Sequence, residues 1–175
     1  ARELWASGIH EARILASMID DHKRVTEAQM ERWVKDFDSW DVCDQCCMNL
    51  FEKTEYAYQK CVEWSSREEE FVKRAGFVLM ARLVVSDKKA GDEEFMEFFP
   101  IIKREAIDER NYVKKAVNWA LRQMGKRNRS LNRTAIRAAE EIQEINSRSA
   151  KWIASDALRE LKSEAVQKRL KVELF

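Results

Sequence analysis

Glycine and proline are scarce in this chain, which has four glycines and a single proline, Pro100, among 175 residues. Sheets rich in turns need more of both residues, whereas the abundant Ala, Glu, Lys, Arg and Leu favour helices. The composition therefore predicts an all-α protein. With 45% hydrophobic and 36% charged residues, the chain is also expected to form a globular domain with its own core.

Long apolar runs are missing as well. No run approaches the roughly 20 residues needed to cross a bilayer, and no charged segment followed by an apolar one opens the chain. We therefore expect a cytoplasmic protein with no membrane partner. The chain starts at Ala1 and enters an apolar helical pattern at Leu4, so we expect residues 1–175 to be a single domain that lacks N-terminal helices of the natural protein.

Histidine is nearly absent, with only His10 and His22, and this bears on the four cysteines. A structural zinc site normally draws two ligand pairs, and no second pair accompanies the dense Cys43-x-x-Cys46-Cys47 segment. These cysteines follow helical spacing, as small core residues do. We favour reduced thiols in a buried helix over a metal site, and we expect no cofactor.

Caps and apolar periods divide the chain into eight or nine helices joined by short connections. Thr26 to Gln29 and Ser66 to Glu69 match the capping box that marks helix starts. Pro100 falls within a helical segment and should kink or restart it after Phe99. Helix breaks are expected at residues 20–25, 37–39, 65–66, 87–92, 107–109, 125–130 and 146–147.

Part of the sequence repeats itself. Residues 71–80 (FVKRAGFVLM) match residues 112–121 (YVKKAVNWAL) at an offset of 41, and Trp152-Ile153 continues the register 40 residues further on. A period near 40 with two helices per unit is typical of HEAT-like repeats, which stack into a solenoid with a long concave face. The alternative is that two similar amphipathic helices recur by chance. The shared order of aromatic, β-branched and basic positions favours the HEAT-like solenoid.

The charge is divided unevenly along the chain. Residues 103–137 carry eleven basic side chains against three acidic ones, a net charge of +8, whereas residues 1–102 carry a net charge of −7. A chain polarised in this way can present one basic surface to a polyanion. Basic residues in the expected loop after Gly125 suit phosphate contacts, which add affinity without reading sequence. For any single basic residue, the alternative to a phosphate contact is a place on a solvated, charged helix face.

Trp40 and Asp44 lie four residues apart in the segment SWDVCD. This spacing places an aromatic ring and a carboxylate on one face of a helix. Such a pair suits a small cationic centre. The alternative is that Trp40 belongs to the core and that the carboxylate serves the helix dipole.

Three segments together resemble the AlkD-type DNA alkylation repair glycosylases, which are HEAT-like helical-repeat enzymes. They are residues 39–44 (SWDVCD), 73–77 (KRAGF) and 113–122 (VKKAVNWALR), and the resemblance extends from Leu4 to about Val166. The Cys46-Cys47-Met48 continuation departs from the best-known members. The expected loss of upstream helices would also remove part of the DNA groove.

The resemblance implies a DNA glycosylase that excises cationic N3- or N7-alkylated purines from duplex DNA by N-glycosidic hydrolysis. It makes Asp44 the catalytic carboxylate, Trp40 and Trp119 the aromatic walls beside the damaged nucleotide, and Arg74 a contact to the DNA backbone. Because the alkylated base is already a good leaving group, no general acid is needed. A fixed carboxylate can stabilise the oxocarbenium-like transition state and orient a water.

The implied partner is double-stranded DNA containing alkylated bases, bound by a monomer that is nucleoid-associated when on DNA. We expect the following basic residues to hold the duplex: Lys115, Arg122, Lys126, Arg127 and Arg129. Two alternatives stay open, a non-catalytic HEAT-like DNA-binding homologue and a HEAT-like protein-interaction scaffold.

Overall fold

The computed structural model describes residues 1–172, which form twelve α-helices and one short 3-10 helix. No strand occurs in these residues, which confirms the all-α prediction. Within the same range, none of the helices is both long and apolar enough to span a membrane. The chain forms two compact units, residues 1–79 and residues 80–175, which are described separately below.

The first unit is built around aromatic side chains and thiols. Its helices are α1 (Arg2–Ala6), α2 (His10–Ile19), α3 (Glu27–Lys35), α4 (Trp40–Asn49), α5 (Ala57–Ser65) and the first part of α6 (Glu70–Ser86), with the 3-10 helix Phe51–Lys53 after α4. Trp5 stacks on Trp33 with ring centroids 4.0 Å apart. Phe51 packs against Trp64 at 5.7 Å. These rings bury large apolar areas and fix the positions of α1, α3 and α5.

The second unit contains the remaining helices. They are the last part of α6, α7 (Asp92–Met96), α8 (Phe98–Glu105), α9 (Asn111–Gly125), α10 (Arg129–Gln143), α11 (Arg148–Leu161) and α12 (Glu164–Val172). Asn128 and Ser147 cap α10 and α11, because their side chains accept the backbone N–H groups of Leu131 and Ala150. The core of this unit is formed by the buried alanine and leucine faces of α9, α10 and α11.

The sequence repeat corresponds to three helices with the same buried stripe. α9 aligns with α6 at an offset of 41 residues, and α11 aligns with α9 at an offset of 40. Three positions that are four residues apart are buried in each of these helices. The sets are Val72, Val113 and Ile153; Gly76, Val117 and Ala157; and Met80, Leu121 and Leu161. Positions four apart lie on one side of a helix, so the repeat reflects a shared packing face.

Most helix boundaries agree with the predicted breaks, and the differences have local causes. The predicted count of eight or nine helices is too low, because breaks near Gly8, before Ala57 and after Leu161 have weak sequence signals. Gly8 adopts a φ of +72°, which favours glycine. α8 begins at Phe98, so Pro100 lies in its first turn, where a missing N–H costs little.

One of the two capping boxes is correct. Thr26 caps α3, since its Oγ1 accepts the N–H of Gln29 at 3.2 Å. Ser66 ends α5 instead of starting α6, and its hydroxyl donates to the Glu63 carbonyl at 2.9 Å. α6 begins only at Glu70, so the second prediction is wrong.

Candidate carboxylate site and nucleic-acid interface

Trp40 and Asp44 lie one turn apart on α4, as the spacing predicted. α4 begins at Trp40, whose side chain is among the most exposed large hydrophobic groups, at 51%. Asp44 is only 8% exposed. Trp40 is therefore not a core residue, and an accessible indole stands beside a carboxylate set below the surface.

Arg74 on α6 pairs with Asp44 through both carboxylate oxygens. Its Nε donates to Oδ1 at 2.8 Å and its Nη2 donates to Oδ2 at 2.7 Å, and Arg74 is itself only 6% exposed. This two-point geometry fixes the plane of the carboxylate. The resemblance gave Arg74 a separate role on the DNA backbone, whereas the structure places it against Asp44.

The protonation of the pair follows from burial and mutual attraction. Burial raises the pKa of Asp44, and the hydrogen bonds and charge of Arg74 oppose that rise. Burial by itself would lower the pKa of Arg74, but the hydrogen bonds that it donates to Asp44 raise this pKa. Because each group holds the other in its charged form, the two behave as one ion pair.

The cysteines explain why α4 and α6 approach closely enough for this pair. The Cys43 thiol donates to the Phe71 carbonyl at 3.6 Å, and the Cys47 thiol donates to the Ala75 carbonyl at 3.9 Å. The two contacts lie one helical turn apart on both α4 and α6. Small thiols therefore set the register that brings Asp44 opposite Arg74.

All four cysteines are buried and free. Burial raises the pKa of the Cys47 thiol well above its usual value, which keeps it protonated. Among residues 1–172, no group of three His, Cys, Asp or Glu side chains could hold a metal ion.

A histidine that the sequence did not single out lies at the edge of this site. His10 begins α2, and its Nε2 lies 2.8 Å from the Asp41 carboxylate on α4. Burial raises the pKa of Asp41, but hydrogen bonding outweighs burial and lowers this pKa below its usual value. Since the two residues are 31 positions apart, no local pattern indicates the contact.

In the second unit, α9 carries the predicted aromatic and basic residues along one stripe. Tyr112, Lys115, Trp119, Arg122 and Lys126 follow one another at steps of three and four residues, which places them on one side of the helix. Trp119 is partly exposed and Lys115 is exposed. Lys126 directly follows the last residue of α9.

Two cations of this stripe are paired with acids of α11. Arg122 donates to Asp156 at 3.1 Å and also to Glu160, while Lys126 donates to the other oxygen of Glu160 at 2.9 Å. The hydrogen bond that Arg122 donates to Glu160 raises the pKa of Arg122. The cluster is partly exposed, so its ion pairs are open to competing anions.

Arg127 and Arg129 differ from the free loop residues that were expected. Only residues 126–128 separate α9 from α10, so Arg129 already lies in α10, and its Nε donates to the Leu170 carbonyl at 3.1 Å. Arg127 donates to the backbone carbonyls of Val84, Asp87 and Ala90 at 2.6 to 2.9 Å. Both arginines therefore have structural contacts within the second unit.

A lysine and a tryptophan that the sequence did not indicate as functional candidates form a further pair in the second unit. Trp152 on α11 is 41% exposed, and the Lys114 Nζ lies 5.6 Å from its ring centroid. This distance is within the range of a cation–π interaction. The repeat could have indicated it, because Trp152 occupies the position of Tyr112 in the next repeat.

These features define an all-α repeat protein with a carboxylate and arginine pair in one unit and a basic, aromatic helix face in the other. The family described as DNA alkylation repair enzyme matches residues 1–161, so the chain belongs to that family and the resemblance is confirmed.

Two solved structures are similar. One is described as a new family of proteins related to the HEAT-like repeat DNA glycosylases with affinity for branched DNA structures. Its TM-score is 0.73 and its identity 19%, over 90% of this chain and 72% of that chain. This likeness confirms the HEAT-like repeat fold. The other is a designed armadillo repeat protein in complex with a (KR)4 peptide, with a TM-score of 0.45 and 14% identity over 99% of this chain and 83% of that one. A search of the curated proteins finds no match.

Proposed function

We propose that this protein is a DNA glycosylase that excises cationic N3- or N7-alkylated purines from duplex DNA. The observation that carries the proposal is the pairing of an exposed Trp40 indole with the arginine-fixed carboxylate of Asp44, one turn further along α4. Membership in the DNA alkylation repair enzyme family supports the substrate class.

The proposed chemistry depends on the damage itself. A purine alkylated at N3 or N7 carries a positive charge and leaves without a general acid, so positive charge develops on the sugar as the bond breaks. Asp44 would stabilise that charge and orient a water towards C1′. Arg74 is a positioning residue, because its two hydrogen bonds fix the orientation of the carboxylate before substrate arrives.

The indoles supply the contacts to the damaged nucleotide. The exposed face of Trp40 suits a cationic base or sugar, since an aromatic ring attracts positive charge. The resemblance assigns the same kind of contact to Trp119, on the basic face of α9. Lys115 on that face is exposed, which suits contact with a DNA phosphate.

Arg122 and Lys126 would bind DNA by exchanging their carboxylate partners for phosphate groups. Both are paired with Glu160, and both lie in a partly exposed cluster where phosphate oxygens can compete with the carboxylate. Arg127 and Arg129 would add positive charge to the surface while their hydrogen bonds keep them in place. We therefore expect DNA affinity to fall steeply with salt.

A second candidate is a DNA-binding protein without glycosylase activity. The specific observation in its favour is that Asp44 is 8% exposed and that both of its oxygens accept hydrogen bonds from Arg74. A carboxylate neutralised in this way stabilises a nearby cation less than a free one would. In this case the pair would hold α4 against α6, and only the basic surface would act.

The deciding experiment measures release of methylated purines from alkylated duplex DNA, with wild-type protein beside an Asp44→Asn variant. We expect release by the wild type and none by the variant, with binding of undamaged duplex retained. The matched control is Asp38→Asn, which makes the same charge change at an exposed carboxylate that pairs with Arg13 at 3.3 Å. The control should release bases at the wild-type rate.

Folding must be separated from chemistry, because Asp44→Asn removes the carboxylate that accepts two hydrogen bonds from the buried Arg74. The double variant Asp44→Asn/Arg74→Gln removes both charges, and it should fold yet release no base. Release by this variant would contradict the assignment of Asp44. Duplex binding without release by the wild type would favour the second candidate, and absence of both would favour a protein-interaction scaffold.

A further inference from the structure

The second unit contains a pocket lined by cations from three parts of the chain. Its volume is about 240 Å³. The lining residues are Val84, Val85, Lys88, Gln123, Lys126, Arg127 and Arg169. Four of these seven carry positive charge and none is acidic, so the walls favour an anion.

Arg127 forms a fixed part of this pocket. Its guanidinium donates to three carbonyls around the end of α6, and it lies 4.5 Å from the centroid of the Phe95 ring. These partners hold the guanidinium in place but carry no full negative charge. Arg127 therefore brings an uncompensated charge to the wall, at a position that needs no rearrangement when a ligand arrives.

Lys88 and Arg169 add charge that no carboxylate among residues 1–172 neutralises. Lys88 is exposed in the connection between α6 and α7, and no ion pair joins it to an acid of the described chain. Arg169 on α12 donates to the Lys126 carbonyl, and likewise no ion pair joins it to an acid within that range. Lys126 pairs with Glu160 at 2.9 Å.

The polar groups of the pocket suit a phosphate more than a carboxylate. Two guanidinium groups, two ammonium groups and the Gln123 amide come from α9, α12 and the ends of two connections. A phosphate has oxygens directed to several sides and can accept from donors of such varied origin. A volume of about 240 Å³ is sufficient for a phosphate group.

From these observations we infer that the pocket formed by Lys88, Gln123, Lys126, Arg127 and Arg169 is a phosphate-binding site. The phosphate can belong to a DNA backbone or to a small phosphate-bearing molecule. The first source rests on the proposed function, whereas the second does not. Lys126 lies seven residues beyond Trp119, about 10 Å along α9, so a strand that contacts Trp119 could place a nearby phosphate in the pocket.

The test uses Lys88→Gln, Arg169→Gln and the double variant, with Lys89→Gln as the matched control. Lys89 is exposed in the same connection and makes the same charge change, but it does not line the pocket. One arm measures binding of a fluorescent undamaged duplex by anisotropy at several salt concentrations. The other arm measures binding of inorganic phosphate and of pyrophosphate by titration calorimetry.

For a backbone phosphate, Lys88→Gln and Arg169→Gln should each reduce the salt slope by about one and weaken binding on the order of tenfold at 0.1 M salt. Lys89→Gln should leave both unchanged. For a small-molecule source, phosphate or pyrophosphate should bind the wild type and the control but not the double variant, with duplex binding unaffected. Either pattern supports the site.

An equal loss of duplex binding in the Lys89→Gln control would show a general charge effect and overturn the inference. So would a double variant that matches the wild type in both arms. If the wild type binds no duplex, the proposed DNA function fails while the phosphate arm still decides the pocket.

Discussion

The pair formed by Asp44 and Arg74 in the first unit contrasts with the cluster on α9 and α11 in the second. The first is a single carboxylate and a single guanidinium, joined by two hydrogen bonds and almost fully buried. In the second, Arg122 and Lys126 share Asp156 and Glu160 in a partly exposed arrangement. The same chemical groups therefore occur in two different environments.

The two environments suit different roles. One holds a carboxylate in a fixed position, and the other lets basic side chains exchange their acidic partners. Removing one partner from a buried pair leaves a charge that water reaches poorly, so the pair is fixed and little affected by salt. A partly exposed cluster loses little when a partner changes, because water and other anions can replace it. The first arrangement suits a carboxylate that must keep its orientation, and the second suits a surface that releases acids to bind phosphates.

The largest expected effect is on stability, from breaking the buried pair. Asp44→Asn should reduce the free energy of unfolding by about 3–5 kcal/mol, because the buried Arg74 loses the negative charge that accepts two of its hydrogen bonds. Urea denaturation followed by circular dichroism measures the change. Asp44→Asn/Arg74→Gln should recover most of the loss, since both charges of the pair are then removed together.

Two outcomes would contradict this account of the pair. A loss below about 1 kcal/mol in the single variant would mean that water or another contact of Arg74 replaces the Asp44 carboxylate. A double variant as unstable as the single one would mean that shape, and not charge, determines the cost. The corresponding variant of the cluster, Arg122→Gln, should lose about 1 kcal/mol or less and lose less still in high salt.

A smaller effect on stability is expected from replacing the glycine that lies near each of these two sites. Gly76 is two residues beyond Arg74, and a Cβ there would lie 2.7 Å from the Ser65 backbone nitrogen on α5. Gly125 directly precedes Lys126, and its Cβ would lie 2.6 and 2.7 Å from Leu161 side-chain carbons and 2.9 Å from the Ala135 Cβ. Backbone cannot yield at Gly76, whereas at Gly125 the Leu161 side chain can change rotamer although the Ala135 Cβ cannot.

Gly76→Ala should therefore destabilise the protein by about 2 kcal/mol, after the gain of about 1 kcal/mol in helix propensity is included. Gly125→Ala should destabilise the protein less, by about 1 kcal/mol, since the same gain offsets a contact in which the Leu161 side chain can yield and the Ala135 Cβ cannot. Thermal unfolding of the two variants side by side checks the difference. Equal losses would contradict the contrast between a rigid site and an adaptable one.

The sequence indicated these sites unequally, for physical reasons. Helix type, the shared face of Trp40 and Asp44 and the repeat follow from local periodicity, which records the face that each helix buries. The Asp44 and Arg74 pair was not foreseen, because residues 30 positions apart meet only after α4 and α6 pack. Arg127 could not be placed either, since its three partners are backbone carbonyls, which any sequence supplies.

A weaker signal could have revealed the cluster. Arg122 and Lys126 are four residues apart, and so are Asp156 and Glu160 one repeat later. Helices that pack side by side at a period near 40 bring such pairs together. Reading the basic residues without their acidic counterparts therefore overstated the number of cations free to bind DNA.

The smallest expected effect on stability comes from Glu160. Burial raises its pKa, but the hydrogen bonds from Arg122 and Lys126 outweigh burial and lower the pKa below the ordinary 4.5. A carboxylate with a depressed folded-state pKa stabilises the protein above its unfolded pKa, and this contribution disappears as the pH falls through the folded value. Glu160→Gln should therefore flatten the decline in urea midpoint below about pH 5, while Glu164→Gln, an exposed carboxylate paired with Lys168, serves as the control.

The same substitution tests whether the cluster exchanges partners. Without Glu160, Arg122 and Lys126 lose a shared competitor for phosphate, so Glu160→Gln should bind duplex DNA more tightly than the wild type at 0.1 M salt. Fluorescence anisotropy with an undamaged duplex measures this, and Glu164→Gln should show a smaller gain. Weaker binding by Glu160→Gln would mean that the acid holds both cations in the binding geometry. The cluster would then be a positioning device like the buried pair, and the contrast between the two units would fail.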